Sequence, residues 1–248
     1  MSRAARFSPD LPLYTQIAER LLEQIHAGEL APGARLVPER VMAQQLGVNR
    51  MTLRHALAVL ESQGVLVRRR GAGTYVAEPK IERHAARLVS FTSSMQQRGL
   101  NPGARVLSLE CRLADTLLAR ELGVPPGTRV YAVRRLRLLN SEPVLLESFA
   151  LPAARFPRFE RHNLGKRSVY EILNKEYGVQ VVRARQSLEP VVASEYEAKL
   201  LGIPKGAPLM LEHRIGFDQA GQPVEAGHDL YRGDRFRFVT EIAPLEMG

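Results

Sequence analysis

The stretch from Ala114 to Gly127 is echoed 79 residues further on, from Ala193 to Gly206. Both copies run from an alanine and a capping residue (Asp115, Ser194) through a helical pattern into Leu-Gly, a branched residue, Pro and Gly. Aspartate and serine are good N-caps, and Ser194 with Glu197 fits a capping box. Each copy continues into a basic strand, carrying Arg135 or Arg214, and a turn ending Pro143-Val144 or Pro223-Val224, where the offset has grown to 80. The alternative is a chance match, against which stands the agreement in order of the hydrophobic, Gly and Pro positions. Duplication confines residues 105–231 to two related helix–hairpin halves, able to face each other across a shared cleft. Mixed α/β with a mainly antiparallel sheet is the class that follows.

Residues 11–80 are patterned differently. Tyr14, Ile17, Ala18, Leu21, Leu22 and Ile25 fall at helical spacing after Pro12, and Gly28 ends that helix. A short second helix fits Glu39 to Leu46, with Gly47 as its stop. Asn49 is an N-cap for a third helix to about Gln63, whose apolar stripe is Leu53, Ala56, Leu57 and Leu60. Met51, Arg54, His55 and Ala58 take the other side, with Arg50 and Thr52 in the first turn. Two β-prone runs, Val65–Arg68 and Thr74–Val76, flank a basic, glycine-rich tip and make a hairpin. Residues 79–90 read as a connector with some helical character.

Composition narrows the function classes. The formal charge of +9, denser in the first third, invites a polyanionic partner, though a solvated basic surface gives the same count. A single cysteine excludes a disulfide framework and a multi-Cys zinc site. No apolar run approaches the roughly 20 residues of a membrane span, so a cytoplasmic protein without membrane contact is expected.

Catalysis has no candidate constellation. Gly71-Ala72-Gly73 lacks the third glycine of a dinucleotide fingerprint, and neither Gly-x-Ser-x-Gly nor a phosphate-loop lysine motif occurs. Glu225-x-x-His228 has no second cluster to complete a metal site. Cys111 lies in an apolar strand and reads as a core residue. No metal, cofactor or catalytic residue is therefore expected. A ligand sensor does have candidates. Arg135 and Arg137 share one strand face, Glu147 follows on the partner strand, Glu225 lies in the second half, and Ser168 opens a helix whose free N–H groups favour an anion. Surface ion pairs are the plainer alternative.

Three short helices and a hairpin form a winged helix-turn-helix pattern, with a third helix suited to the major groove. A helical bundle with solvated arginines has the same outline, and the motifs decide between them. Leu13-Tyr14-x-Gln16-Ile17, Gly28-x-Leu30-x-Pro32-Gly33, Val37-Pro38-Glu39-Arg40, Leu46-Gly47-Val48, Arg50-Met51-Thr52-Leu53-Arg54-x-Ala56-Leu57 and Arg69-x-Gly71-x-Gly73-Thr74-Tyr75-Val76 resemble the DNA-binding domain of the GntR family. Asn49 and Val37 stand where that family usually has Ser and Leu. The resemblance implies DNA contacts from Arg40, Arg50, Met51, Thr52 and Arg54, and from Arg70, Gly71 and Gly73 of the wing. Glu39 is expected to orient Arg40 or cap its helix.

Residues 88–242 resemble the ligand-sensing (UTRA) domain of the HutC subfamily, a chorismate-lyase-like fold without that activity. The motifs are Ser90-Phe91-Thr92, Arg98-Gly99, Arg135-x-Arg137, Glu142-Pro143-Val144-x-x-Glu147, Ser168-x-Tyr170, Val224-Glu225 and Tyr231-Arg232-Gly233-Asp234. The nearest likeness is to amino-sugar regulators that sense N-acetylglucosamine 6-phosphate or glucosamine 6-phosphate. It implies phosphate contacts from Ser90, Thr92, Arg135, Arg137, Ser168 and Tyr170, sugar contacts from Glu147, Glu225 and Tyr231, and a place for Phe91 in the same effector site. Ser93-Ser94 stands where those relatives often carry acids, and relatives sensing urocanate share much of the scaffold. The expectation is an α+β chain with a winged helix-turn-helix over 9–78, a linker over 79–89 and an effector domain over 90–243. Its expected partners are a double-stranded inverted-repeat operator, a small anionic effector and a second copy in a homodimer.

Overall fold

The computed structural model describes residues 11–69, 71–85 and 90–241. Two compact units divide between Lys80 and Ile81.

In the first unit, α1 (Leu13–His26) and α2 (Glu39–Leu46) pack on α3 (Arg50–Ser62), followed by the antiparallel hairpin β1 (Leu66–Arg69) and β2 (Gly73–Val76). The α3 stripe read from the sequence is the buried face: Leu53, Ala56, Leu57 and Leu60 meet Ile17, Leu21 and Met42. Each fully buried leucine contributes about 1.5–3 kcal/mol, so this stripe fixes which face of α3 is left for other work. Asn49 caps α3, its Oδ1 accepting from Thr52 N–H at 2.7 Å. Gly73 sits at φ +110°, where a Cβ would lie 3.1 Å from Arg35 Nε, so the hairpin tip needs glycine there.

The second unit opens with β3 (Ile81–His84), where the sequence reading has a partly helical connector. This strand pairs in parallel with β10 (Phe236–Val239), a partner 155 residues away that no local pattern could reveal. After α4 (Phe91–Gln97), also absent from the sequence reading, the duplication takes physical form. The first half is β4 (Pro102–Leu113), α5 (Thr116–Leu122), β5 (Arg129–Leu139) and β6 (Glu142–Pro152); α6 (Val169–Tyr177) follows it. The second half is β7 (Arg183–Val192), α7 (Glu195–Leu201), β8 (Pro208–Phe217) and β9 (Pro223–Arg232). Asp115 and Ser194 cap α5 and α7, the latter in a full capping box, and Gly123 and Gly202 end them at φ +63° and +67°.

The halves do not face each other across a gap. They join edge to edge through β6 and β9 into one six-stranded antiparallel sheet, ordered β4-β5-β6-β9-β8-β7. Ser148 pairs with His228, its own counterpart 80 residues on, so a local two-fold passes through that pair. Helices α5 and α7 cover one sheet face, with cores around Ala119/Leu122 and Ala198/Leu201. On the other face α6 packs on Tyr131, Val133, Phe149 and Leu151, and α4 packs near Leu145 and Tyr231. Cys111, expected in the core, is exposed, because β4 is an edge strand with one flank open.

Candidate functional sites

In the first unit, burial of the Leu53–Leu60 stripe turns Arg50, Met51, Arg54 and His55 outward, and Arg40 of α2 is exposed as well. Met51 is 71% exposed, which leaves an apolar side chain beside the arginines on the outer face of α3. Thr52 is partly committed, its hydroxyl hydrogen-bonded to Asn49 Oδ1 at 3.0 Å. His55 stacks on Tyr14 with ring centroids 3.8 Å apart, joining the start of α1 to the outer face of α3. Glu39 does not orient Arg40. Its carboxylate accepts from Arg54 Nε at 2.9 Å and from Arg68 Nη2 at 3.1 Å, and Arg68 also reaches Glu61 at 3.2 Å. Arg54 and Arg68 meet there because α2, α3 and β1 converge, a proximity that spacing along the chain does not encode. Gly71 and Gly73 lie at the hairpin tip at φ +75° and +110°, and Arg70 falls outside the described residues.

In the second unit, β-strand alternation places Arg135 and Arg137 of β5, Glu147 of β6, Asp229 and Tyr231 of β9, and Glu212 and Arg214 of β8 on the sheet face under α4 and α6. Arg135 is 1% exposed. Its Nε donates to Glu147 Oε2 at 2.6 Å, its Nη2 is ion-paired with the same oxygen at 2.5 Å, and its Nη1 donates to Leu164 O at 2.9 Å. Arg137 donates to Thr92 Oγ1 at 2.9 Å and lies over the Phe91 ring at 4.5 Å. Tyr170 donates a short hydrogen bond to Glu225 Oε1, which also accepts from Arg214 Nε at 3.0 Å. Gly216 makes this possible, since a Cβ there would stand 3.0 Å from Glu225 Cγ.

A small cavity of about 30 Å³ is lined by Ser90, Phe91, Arg135, Arg137, Glu147, Ser168, Tyr170 and Glu225, together with Phe149, Val169 and Arg214. Eight of the ten residues expected in an effector site are thus brought together. Thr92 stands one contact back, through Arg137, and Tyr231 two, through Glu212, whose Oε2 accepts from the tyrosine hydroxyl at 3.0 Å and from Arg214 Nη1 at 3.4 Å. Ser168 is the N-cap of α6 and makes no capping hydrogen bond, so its hydroxyl is uncommitted to the helix it opens. Arg214, Glu212, Asp229 and Arg83 of β3, whose guanidinium lies over the Tyr231 ring at 5.2 Å and 3.9 Å from Glu212, are not among the residues expected from the sequence. Arg214 was legible as the counterpart of Arg135, and Glu212 and Asp229 by period-two spacing from Arg214 and Tyr231.

Burial and charge oppose one another here. Burial works to raise the Glu147 carboxyl, but Arg135, Arg137 and Arg214 outweigh it and hold it below the usual range. Burial also lowers the Arg137 guanidinium, with Arg135 adding repulsion. Asp229 goes the other way: burial pushes it well above the usual carboxylate range, and Glu147, Glu212 and Glu225 reinforce that against Arg214. Tyr170 and Tyr231 are raised chiefly by burial and stay protonated donors. Glu225 and His228, three apart on β9, lie on opposite sheet faces and cannot share a metal; no metal-holding cluster occurs among the described residues.

A winged helix with an exposed basic recognition helix, joined to a sheet domain with buried arginines around a small cleft, defines a DNA-binding regulator with a ligand-sensing domain. Residues 13–76 match the model of the bacterial regulatory proteins of the gntR family, and residues 97–237 match the UTRA domain. The chain is 38% identical over 229 residues to the HTH-type transcriptional repressor NagR of Bacillus subtilis, covering 92% of this chain and 94% of that one. It is 32% identical to the mannosyl-D-glycerate transport/metabolism system repressor MngR of Escherichia coli, covering 92% and 95%. Among solved structures, PhnF from Mycobacterium smegmatis superposes with a TM-score of 0.65 at 30% identity, over 93% of this chain and 99% of that one. The chain belongs to the gntR family of bacterial regulatory proteins, in its UTRA-containing branch. It is a transcriptional regulator.

Proposed function

We propose that this chain is a homodimeric repressor that binds an inverted-repeat operator and is controlled by an amino-sugar phosphate such as N-acetylglucosamine 6-phosphate or glucosamine 6-phosphate. The observation that carries this reading is the convergence of buried Arg135 and Arg137 on the N-terminus of α6, beside the uncommitted Ser168 hydroxyl. Cations and free helix N–H groups together suit a dianionic phosphate. Ser90, Phe91, Thr92 and Tyr170 complete that end, while Glu147 and Glu225 take the sugar's hydroxyl and amino groups. Tyr231 orients Glu212 behind them. The 38% identity to a repressor named NagR supports the amino-sugar choice.

At about 30 Å³ the cleft is far smaller than the roughly 300–1,000 Å³ of ordinary ligand pockets. A sugar phosphate must therefore open it. The ligand phosphate competes with Glu147 for Arg135, and the released carboxylate turns to the sugar. Binding then favours a rearranged domain, and a coupling of about 1–3 kcal/mol changes operator affinity 5–150-fold. Arg50, Met51, Thr52 and Arg54 address base edges, with Arg40, Arg70, Gly71 and Gly73 on the backbone or minor groove. The two-fold of a dimer sets the half-sites about one helical turn apart.

The test is a gel-shift titration of operator DNA with the full chain, alone and with each amino-sugar phosphate, urocanate, unphosphorylated glucosamine and inorganic phosphate. Selective release by an amino-sugar phosphate is expected. Release by urocanate or a free sugar alone would remove the phosphate assignment and leave the regulator.

A further inference from the structure

The two halves of the sheet domain are unequal on the face covered by α5 and α7. In the second half, Val191, Leu200 and Leu230 pack against the core around Leu146 and Leu209. Counting by the duplication, Arg112, Glu121 and Ala150 of the first half stand at the equivalents of these three, and Ala226 of β9, paired with Ala150, stands at the equivalent of Leu146. Leucines have become alanines, and two apolar positions have become charged. Packed interiors leave few voids larger than a water, and a leucine-to-alanine change that the surroundings do not refill leaves a cavity. Here it is not refilled. A cavity of about 480 Å³ lies over Ala132, Ala150 and Ala226, beside α5, within the range of small-molecule pockets.

The chemistry of this cavity is two-sided. Its floor is the three alanines beside the polar pair Ser148 and His228, with Leu118 on the wall; its rim carries Glu110, Asp115, Glu121, Arg112 and Arg134. Arg134 is held with its guanidinium over the Tyr196 ring at 5.3 Å, Glu121 stands 3.1 Å from His213 Nε2, and Asp115 is committed to capping α5. Charges of both signs around a floor of alanines match a molecule with an ammonium, a carboxylate and a short hydrocarbon, and Ser148 and His228 add hydrogen-bonding groups beside it. We propose that this cavity is a second ligand site, taking an aliphatic zwitterion of amino-acid or dipeptide size. The ammonium lies at Glu110 and Glu121, the carboxylate at Arg112 and Arg134, and the hydrocarbon on the alanine floor.

Alternation ties this site to the cleft on the far face. Arg134 and Arg135, Ser148 and Glu147, and His228 and Asp229 are neighbours on the same strands, one side chain to each face. A ligand on one face therefore holds the backbone that positions the other.

The experiment is a thermal-shift and calorimetric titration of the full chain with L-leucine and glycyl-L-leucine, compared with isobutylamine and isovalerate, which each carry one charge. The zwitterions are expected to stabilise the protein, and the singly charged analogues to bind at least tenfold more weakly. Ala150→Leu, which restores the residue of the other half, abolishes that binding while circular dichroism stays native. Should that variant not fold, Glu121→Gln decides, with an expected loss of tenfold or more. Ser168→Ala, which trims the cleft without removing a capping hydrogen bond, retains the response. No stabilisation by either zwitterion, binding unchanged in the Ala150 and Glu121 variants, or a response lost with Ser168→Ala would overturn the proposal, the last by placing the probe in the cleft. Conversion of a dimer to a monomer by Leu117→Glu would give this face to a second copy and overturn it equally.

Discussion

Replacing Arg135 by methionine isolates the interaction on which the cleft depends. The side chain is buried, and it is the nearest cation to Glu147: its two contacts are 2.6 and 2.5 Å, whereas Arg137 approaches only to 3.6 Å. Removing one member of a buried pair leaves the other charge without its counterion and costs about 3–5 kcal/mol. Leu164 O also loses its donor. At about 2–4 °C per kcal/mol for a domain of this size, the melting transition of the sheet domain should fall by roughly 6–20 °C. Adding Glu147→Gln to Arg135→Met removes the orphaned carboxylate, and part of the loss should return; the recovery is partial because buried Arg137 then loses the carboxylate that stands 3.6 Å from it. Differential scanning calorimetry of the full chain is the assay, with the winged-helix transition as an internal reference. Equal destabilisation in the single and double variants would refute the argument, since Arg135 would then act through packing alone.

Two further outcomes follow from the same geometry. Glu147 has a lowered carboxyl, so its stabilisation is complete above the unfolded value near 4.3 and is lost as pH falls through its lower folded value. Asp229 has a raised one, so its contribution is lost as pH rises from its unfolded value near 3.9 towards the folded one; Asp229→Asn should flatten that decline in a stability–pH profile, and an unchanged slope would reject it. In the first unit, Arg50→Ala should cost about 1–3 kcal/mol of operator binding and less of nonspecific binding, read by fluorescence anisotropy on both duplexes; equal losses would make the residue a phosphate contact only.

What the sequence revealed was local. Asn49, Gly47 and the Leu53–Leu60 stripe defined α2 and α3 because caps and helical period act within a few residues. The duplication exposed the sheet domain because paired caps and Gly-Pro turns recur in order. The cleft was readable to the extent that period two places Arg135 and Arg137 on one face. What escaped depended on distant partners. β3 needs β10, Glu39 takes its meaning from Arg54 and Arg68, and the exposure of Cys111 depends on which strand ends the sheet. The small α4 escaped because it lacks what marked the equally short α5 and α7, the recurrence of cap and Gly-Pro stop in a second copy.

The parallel pairing of β3 with β10 has a consequence for biosynthesis. The strand that follows directly on the DNA-binding unit finds its partner only after the chain has been made through residue 239. At about 5–20 residues per second, the 155 intervening residues take roughly 8–30 s to synthesise, and domains generally fold as units from the N-terminus. The winged helix thus leaves the ribosome and folds well before the domain that senses the ligand is closed. A nascent chain passes through an interval in which it has a DNA-reading surface and no means of responding to a signal.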